Sequence, residues 1–208
     1  MTVFSETTSS PTLDAGLLEQ QLQQEDALLR GHFRLSSGLH SDTYVQCARF
    51  LRRPELTAPA AAALAAQIRA AGLQPDGVVG PAMGGLVIGY ELARQLGVPG
   101  IFTERDANGQ MTLRRGFSVT PGEKIIIAED VVTTGKSTLE VAQVLSDQGA
   151  QVLAVASLID RTSGKGGLRF PHFALLSVQA ATFAPESCPL CAAGVPVVKP
   201  GSRPEKAF

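Results

Sequence analysis

The chain alternates short β-branched apolar runs with longer segments whose apolar residues recur every three or four positions, and glycine closes most of the longer ones. Residues 77–79, 99–103, 125–128, 152–159 and 173–178 are of the first kind and read as strands. Residues 57–71 are alanine-dense and residues 86–96 amphipathic, with Gly72 and Gly97 just past their ends, so both read as helices. Residues 137–148 set Thr138, Val141, Ala142 and Leu145 at helical spacing before Gly149. Near the start, Asp14 is placed to cap a helix carrying Leu17, Leu18, Leu22, Leu28 and Leu29, with Gly31 as its expected stop. Residues 33–46 read as irregular or extended. Asn108-Gly109, between residues 99–103 and 111–115, is a two-residue hairpin signal, so a hairpin is expected to project there. Strands alternating with helices imply an α/β domain, a mainly parallel sheet with helices on both faces. Residues 1–13 are expected to be a disordered lead-in, and residues 14–208 one domain with a small flanking subdomain.

Composition narrows the picture by exclusion. The 208 residues suit one domain with small appendages, and 44% hydrophobic with 18% charged residues is ordinary for a globular chain. A formal net charge of −1 gives no global attraction to nucleic acid or to an anionic membrane, so any anion site must be local. No apolar run approaches the ~20 residues that cross a bilayer, and the first residues show neither a basic nor an apolar leader region. The expected location is the cytoplasm. Three cysteines, with only Cys188 and Cys191 close together, make no disulfide framework. Cys188-Pro189-Leu190-Cys191 has the spacing of half a zinc knuckle, but Cys47, His32, His40 and His172 are scattered along the chain. No protein-bound metal is expected there unless a second copy supplies the other half.

The chemistry concentrates in residues 124–138. The apolar run Ile125-Ile126-Ile127-Ala128 suits a parallel strand covered on both faces, and Glu129 and Asp130 fall at its carboxyl end. In an open α/β sheet that end faces the ligand crevice, where two carboxylates accept hydrogen bonds from sugar hydroxyls or help hold hydrated Mg²⁺. Val131 and Val132 lead to Thr133-Thr134-Gly135-Lys136-Ser137-Thr138, which offers backbone N–H groups, four hydroxyls and a helix N-terminus to a phosphate dianion. A Walker A loop is excluded by spacing, because Asp130 stands where its first glycine belongs. A capping box, Ser137 with Glu140, accounts for the serine but not for the acidic pair. Gly80-Pro81-Ala82-Met83-Gly84-Gly85 ends another strand, with tight turns that let the amides of Ala82, Met83, Gly84 and Gly85 approach an oxyanion.

The strand, acidic pair, two-residue spacer and TTG turn resemble the motif by which type I phosphoribosyltransferases bind 5-phosphoribosyl 1-pyrophosphate (PRPP). Residues 33–44 narrow this resemblance. Phe33, Leu35, Ser37, Gly38 and Ser41 match an F-x-L-x-S-G-x-x-S segment of the orotate phosphoribosyltransferase family, and Tyr44 stands where that family places an aromatic against the pyrimidine. Asp160-Arg161 matches the family's D-R pair, whose arginine reads the orotate carboxylate through a bidentate guanidinium fork.

The resemblance implies Mg²⁺-dependent transfer of ribose 5-phosphate from PRPP to N1 of orotate, a step of de novo pyrimidine (UMP) synthesis. The products are orotidine 5′-monophosphate and pyrophosphate. The implied PRPP ligands are Ala82, Met83, Gly84, Gly85, Arg105, Glu129, Asp130, Val131, Val132, Thr133, Thr134, Gly135, Lys136, Ser137 and Thr138. Glu129, Asp130 and Arg105 would be catalytic, and Tyr44, Thr133 and Arg161 would hold orotate, with Mg²⁺ bound mainly through PRPP and water. The implied assembly is a homodimer in which residues 14–50 and the C-terminal tail form a hood over the base. The chain departs from the family in two places. Its hairpin keeps Arg105 but has no lysine or histidine between Thr103 and Phe117, which leaves Arg114 and Arg115 as the other cations. Ser36 replaces the lysine of the first segment. Another nucleobase as acceptor, or a PRPP sensor without catalysis, remains open at this point. The basic tail, residues 197–203 with Lys199 and Arg203, could lie near a phosphate, but a solvated terminus is the first expectation.

Overall fold

The computed structural model describes residues 13–162 and 167–200, so the lead-in and the last residues of the tail lie outside the described residues. Helix α1 (Ala15–Gln24) is capped by Asp14, whose carboxylate accepts the Leu17 N–H at 2.8 Å. It stops well short of Leu28. Leu28 and Leu29 belong instead to strand β1 (Leu28–Arg34), with Gly31 inside it rather than ending a helix. The physical reason is Asp26, which takes a positive φ of 50° and turns the chain, after which the Ala27 N–H closes on the Leu22 carbonyl. Strand β2 (His40–Val45) returns antiparallel to β1, so within residues 33–46 the extended reading holds for 33–34 and 40–45, the two sides of a hairpin.

A short helix α2 (Ala48–Leu51) leads to α3 (Pro54–Ala70). The main sheet then assembles from β3 (Gly77–Pro81), β4 (Gly100–Arg105), β5 (Met111–Leu113), β6 (Lys124–Val132), β7 (Gln151–Asp160) and β8 (His172–Ser177). Helix α4 (Gly84–Leu96) joins β3 to β4, and α5 (Lys136–Asp147) joins β6 to β7. The spatial order is β5-β4-β3-β6-β7-β8, with every neighbour parallel except the β4–β5 hairpin. The chain runs outward from β3 in one direction and from β6 in the other. The gap between their carboxyl ends is therefore a topological switch point, where loops part and leave a crevice.

Strand alternation builds the two cores. Ile126 and Ala128 point to the layer containing α1, α3 and α4, while Ile125 and Ile127 point to the layer containing α5, Val141 and Leu145. All four are 0–1% exposed, so β6 is the spine of the domain. Glu129 and Asp130 lie within β6 rather than after it, because the β6–β7 ladder continues to Val132↔Asp160.

A second sheet of order β1-β2-β9 stands apart from the first, its third strand being β9 (Thr182–Phe183). A 3-10 turn (Pro185–Ser187) and helix α6 (Pro189–Ala192) follow. The chain then returns along β1: Val198 donates to the His32 carbonyl and Arg34 donates to Val198, both at 2.8 Å. This return bears on two expectations. The described part of the tail is hydrogen-bonded to β1 although its residues 191–199 stay exposed, and His32 and His40 are not scattered but gathered against Cys188 and Cys191. Cys47 and His172 do lie elsewhere, the latter bonded to Ser157 at 2.8 Å.

The Ile126→Ala variant is expected to lose about 2–5 kcal/mol, because the neighbouring strands and α4 cannot collapse into the space left. The loss should appear as a lower urea midpoint with an unchanged slope. A loss below about 0.5 kcal/mol would remove β6 from its central role.

Candidate functional site

Two loops meet at the switch point, residues 82–85 after β3 and residues 133–135 after β6. Their approach is close enough to exclude side chains. A Cβ on Gly85 would stand 2.4 Å from the Ala128 carbonyl, and one on Gly84 would stand 2.5 Å from Asp130 Oδ1. Glycine is therefore required for α4 to begin directly beside the acidic pair. No side chain caps that helix, so its first N–H groups point into the crevice beside the exposed Met83.

Glu129 is 4% exposed, and the Ser137 hydroxyl donates to its Oε1 at 2.6 Å. Asp130 accepts the Val131 N–H at 2.8 Å. Among the described residues no lysine or arginine pairs with either carboxylate. Burial, with the Asp130 charge adding to it, pushes Glu129 up to about 7, and burial likewise raises Asp130. Ionising Glu129 here costs about 3 kcal/mol more than in water. Such a site favours a ligand that brings hydroxyl donors or a cation.

Ser137 is thus tied to Glu129 and not to the helix end. The expected capping box does not form, since Gly135 occupies the N-cap with φ 74° and no side-chain cap bond. Glu140 turns outward to Arg105 and Lys136. Within the Thr133–Thr138 segment the Thr134 hydroxyl accepts the Lys136 N–H at 3.3 Å. Thr138 Oγ1 is buried without a partner, an orphaned polar atom beside this turn.

The remaining candidates fall into two groups. Tyr44 is half-buried, its ring 5.8 Å from that of Phe33, and it lines a cavity of about 510 Å³ together with Thr133, Arg34 and Ser36. Lys199 and Pro200 close the same cavity from the tail. Sequence reasoning missed Arg34 and Lys199; Lys199 had a basic-tail signal, but no pattern connects it to a segment more than 150 residues earlier. Arg161 extends β7 by donating its N–H to the Val132 carbonyl at 2.8 Å, which brings it next to the Thr133 turn. Its Nε is buried without a hydrogen-bond partner, and burial pulls the guanidinium below its ordinary value while Asp42 opposes that shift. Among the described residues it does not line the cavity that holds Tyr44.

The hairpin cations are largely engaged. Arg105 pairs with Glu140 and donates to the Gly109 carbonyl at 2.6 Å. Arg115 makes a two-pronged contact with Glu104 at 2.7 and 2.9 Å, and its guanidinium lies 5.8 Å from the Phe102 ring centre. Arg114 is exposed.

Comparison with known proteins accords with this geometry. Residues 51–190 match the phosphoribosyl transferase domain family. The chain is 52% identical over 180 residues to the orotate phosphoribosyltransferase of Carboxydothermus hydrogenoformans, covering 86% of this chain and 94% of that one. It is 51% identical over 181 residues to that of Heliobacterium modesticaldum, covering 87% and 94%. The solved orotate phosphoribosyltransferase of Aeropyrum pernix superposes with a TM-score of 0.62 at 27% identity, over 77% of this chain and 93% of that one. An adenine phosphoribosyltransferase from Saccharomyces cerevisiae superposes equally well, at 0.62, but at 21% identity over 76% and 99% of the two chains, a likeness of fold alone.

Because the folded value of Glu129 lies above its unfolded one, its contribution to stability is fully present below about pH 4.5 and is lost as pH rises through about 7. The Glu129→Gln variant keeps the Ser137 bond without the charge. Its urea stability above pH 7 should exceed that of the parent by up to about 3 kcal/mol, and the gap should close below pH 4.5. A gap that does not change with pH would contradict the raised value.

Proposed function

We propose, from the premise that this chain belongs to the phosphoribosyl transferase domain family and within it to the orotate phosphoribosyltransferases, that its switch-point crevice transfers ribose 5-phosphate from PRPP to orotate. The observation that carries this reading is the cation-free pair of buried Glu129, bonded to Ser137 after the TTG turn, and half-buried Asp130 beside Gly84. The carboxylates hold the two ribose hydroxyls. The backbone donors and hydroxyls of Thr133, Thr134, Gly135, Lys136, Ser137 and Thr138 take the 5-phosphate, with the α5 N-terminus adding favourable field. The N–H groups of Ala82, Met83, Gly84 and Gly85 receive the pyrophosphate. Val131 and Val132 contribute as backbone only.

In the reaction the bond from the anomeric carbon to the pyrophosphate oxygen breaks as the bond to N1 of orotate forms. The sugar passes through a cationic, oxocarbenium-like state, so the protein supplies no nucleophile. It holds cation and departing anion together, which is positioning and electrostatic work. Two oxygen-donor carboxylates with no cation of their own fit Mg²⁺, bound mainly through PRPP and water. When bound, Mg²⁺ neutralises pyrophosphate charge.

For the base, Tyr44 offers a ring face and Thr133 a hydroxyl in the cavity that Lys199 closes. Ser36, in place of the family lysine, lines that same cavity, and we assign its missing ammonium to Lys199. Arg161, next to Thr133, reads the orotate carboxylate from the other edge. The sheet of β1, β2 and β9 with the tail acts as the hood. Arg105 has to exchange Glu140 for a phosphate oxygen to act as a lid, and Arg114 is the cation that needs no such exchange. Met83, Val87 and Tyr90 form an exposed apolar stripe down α4, 44–81% exposed, which favours a homodimer. Unpaired Cys47, Cys188 and Cys191 agree with a reducing cytoplasm.

The direct test follows orotate by ultraviolet absorbance with Mg²⁺, with and without PRPP. Loss of orotate only when PRPP is present is expected, whereas PRPP binding without loss would point to another base or to a sensor. The Lys199→Ala variant should raise the orotate KM roughly 10- to 100-fold, the value of a charge-assisted hydrogen bond, and leave the PRPP KM within about threefold. An unchanged orotate KM would return the tail to scaffold. Arg105→Ala should lower kcat if the hairpin closes; an unchanged kcat would leave that role to Arg114.

A further inference from the structure

His32, His40, Cys188 and Cys191 present one nitrogen or sulfur each, and these four atoms all lie within 4.8 Å of one another. The phosphoribosyl site uses none of them. We propose that they form a structural zinc site that ties the C-terminal segment to the β1–β2 hairpin.

The hairpin supplies the two histidines by register. His32 and Arg34 share one face of β1, and Arg34 pairs with His40 across the ladder, so the two imidazoles are diagonal neighbours on that face. Helix α6 and the residue before it supply the two sulfurs. The His32 and His40 rings stand edge to face with centroids 4.7 Å apart. His32 Nε2 is 2.8 Å from His40 Nδ1, 3.5 Å from the Cys188 sulfur and 3.7 Å from the Cys191 sulfur, and the Cys191 sulfur is 3.3 Å from His40 Nδ1. A tetrahedral Zn²⁺ with the usual bond lengths has edges of roughly 3.3 Å between two nitrogens and roughly 3.6 Å between nitrogen and sulfur. Three of the four nitrogen–sulfur spacings are already within about 0.3 Å of a zinc tetrahedron's, and no pair exceeds 4.8 Å. The two imidazoles have to part by about half an ångström.

Protonation points the same way. His32 Nδ1 lies 2.8 Å from the Val195 carbonyl, which can only accept, so Nδ1 carries the proton and the Nε2 lone pair faces the cluster. One lone pair cannot accept from an imidazole and two thiols together, whereas one divalent cation satisfies all four groups. An N–H held by a backbone carbonyl is also the outer contact that orients a zinc-bound histidine. His32, His40 and Cys188 are 3–7% exposed and Cys191 closes the site from outside, a four-ligand shell with no open position. Two sulfurs with two nitrogens in a tetrahedron select zinc over the hard cations.

The tie joins segments up to 159 residues apart in sequence. It also has a consequence for the base cavity. Four residues after the Val195 carbonyl that orients His32 comes Lys199, and between them Val198 is bonded on both sides to β1. Zinc therefore fixes the strand that sets Lys199 and Pro200 on the cavity wall.

The test is the metal content of the full chain, purified under reducing conditions without chelator. About one zinc per chain is expected, falling below about one tenth in Cys188→Ser and in Cys191→Ser. To separate loss of a ligand from misfolding of a variant, the parent is also stripped and titrated with Co²⁺ alone. The expected spectrum combines thiolate-to-cobalt charge transfer with the intense ligand-field bands of a tetrahedral ion. Hydrogen exchange of residues 184–200 should rise at least about tenfold when zinc is stripped and return when zinc is restored. A parent chain that carries no zinc and binds none on titration, or an octahedral cobalt spectrum without charge transfer, would overturn the proposal.

Discussion

Everything in this molecule is arranged around two adjacent carboxylates, one buried and one half-buried, that the fold leaves without a cation. Glu129 and Asp130 sit toward the carboxyl end of the central strand β6, where Ser137 and the Val131 N–H supply hydrogen bonds but no positive charge. Burial pushes the pair toward protonation, and that penalty is the interaction a ligand relieves. The glycines of the neighbouring loop follow from the same constraint. Gly84 abuts the Asp130 carboxylate and Gly85 the Ala128 carbonyl, so the start of α4 meets the acidic pair at close range. A ribose flanked by a phosphate and a pyrophosphate matches such a crevice in hydroxyls at the centre and anions at both sides.

The sheet and the hood divide the work differently. The parallel sheet holds the loops after β3 and β6 rigidly, because the strands behind them are covered on both faces. The base cavity lies between that sheet and a small second sheet with far less core of its own, closed by the chain segment that bears Lys199. A two-strand hairpin with a short third strand is a weak platform, and it needs an added constraint to present a side chain with precision. The cluster of two histidines and two cysteines lies where such a constraint is required.

Local patterns in the sequence were sufficient for the main sheet. The β-branched runs, the glycines after α3, α4 and α5, and Asn108-Gly109 each encode an element through nearest-neighbour physics, and those elements appear. Long-range pairing was not legible in that way. Leu28 and Leu29 continue the apolar rhythm of α1, yet Asp26 turns the chain and β2 captures them as a strand. Ser137 and Glu140 have capping-box spacing, but a buried carboxylate competes for the serine and Arg105 for the glutamate. The tail was least legible, since Lys199 reaches the cavity and Cys188 reaches His32 only through tertiary docking across most of the chain.

The most direct test of this account is calorimetric titration of Mg²⁺ and PRPP into the protein near pH 7, in two buffers of different ionisation enthalpy. Because Glu129 titrates near 7 before binding and is held ionised by its ligand, binding should release protons, and the release should vanish in the Glu129→Gln variant. Tight binding with no proton release, or the same release from the variant, would contradict the claim that the acidic pair is what the ligand completes.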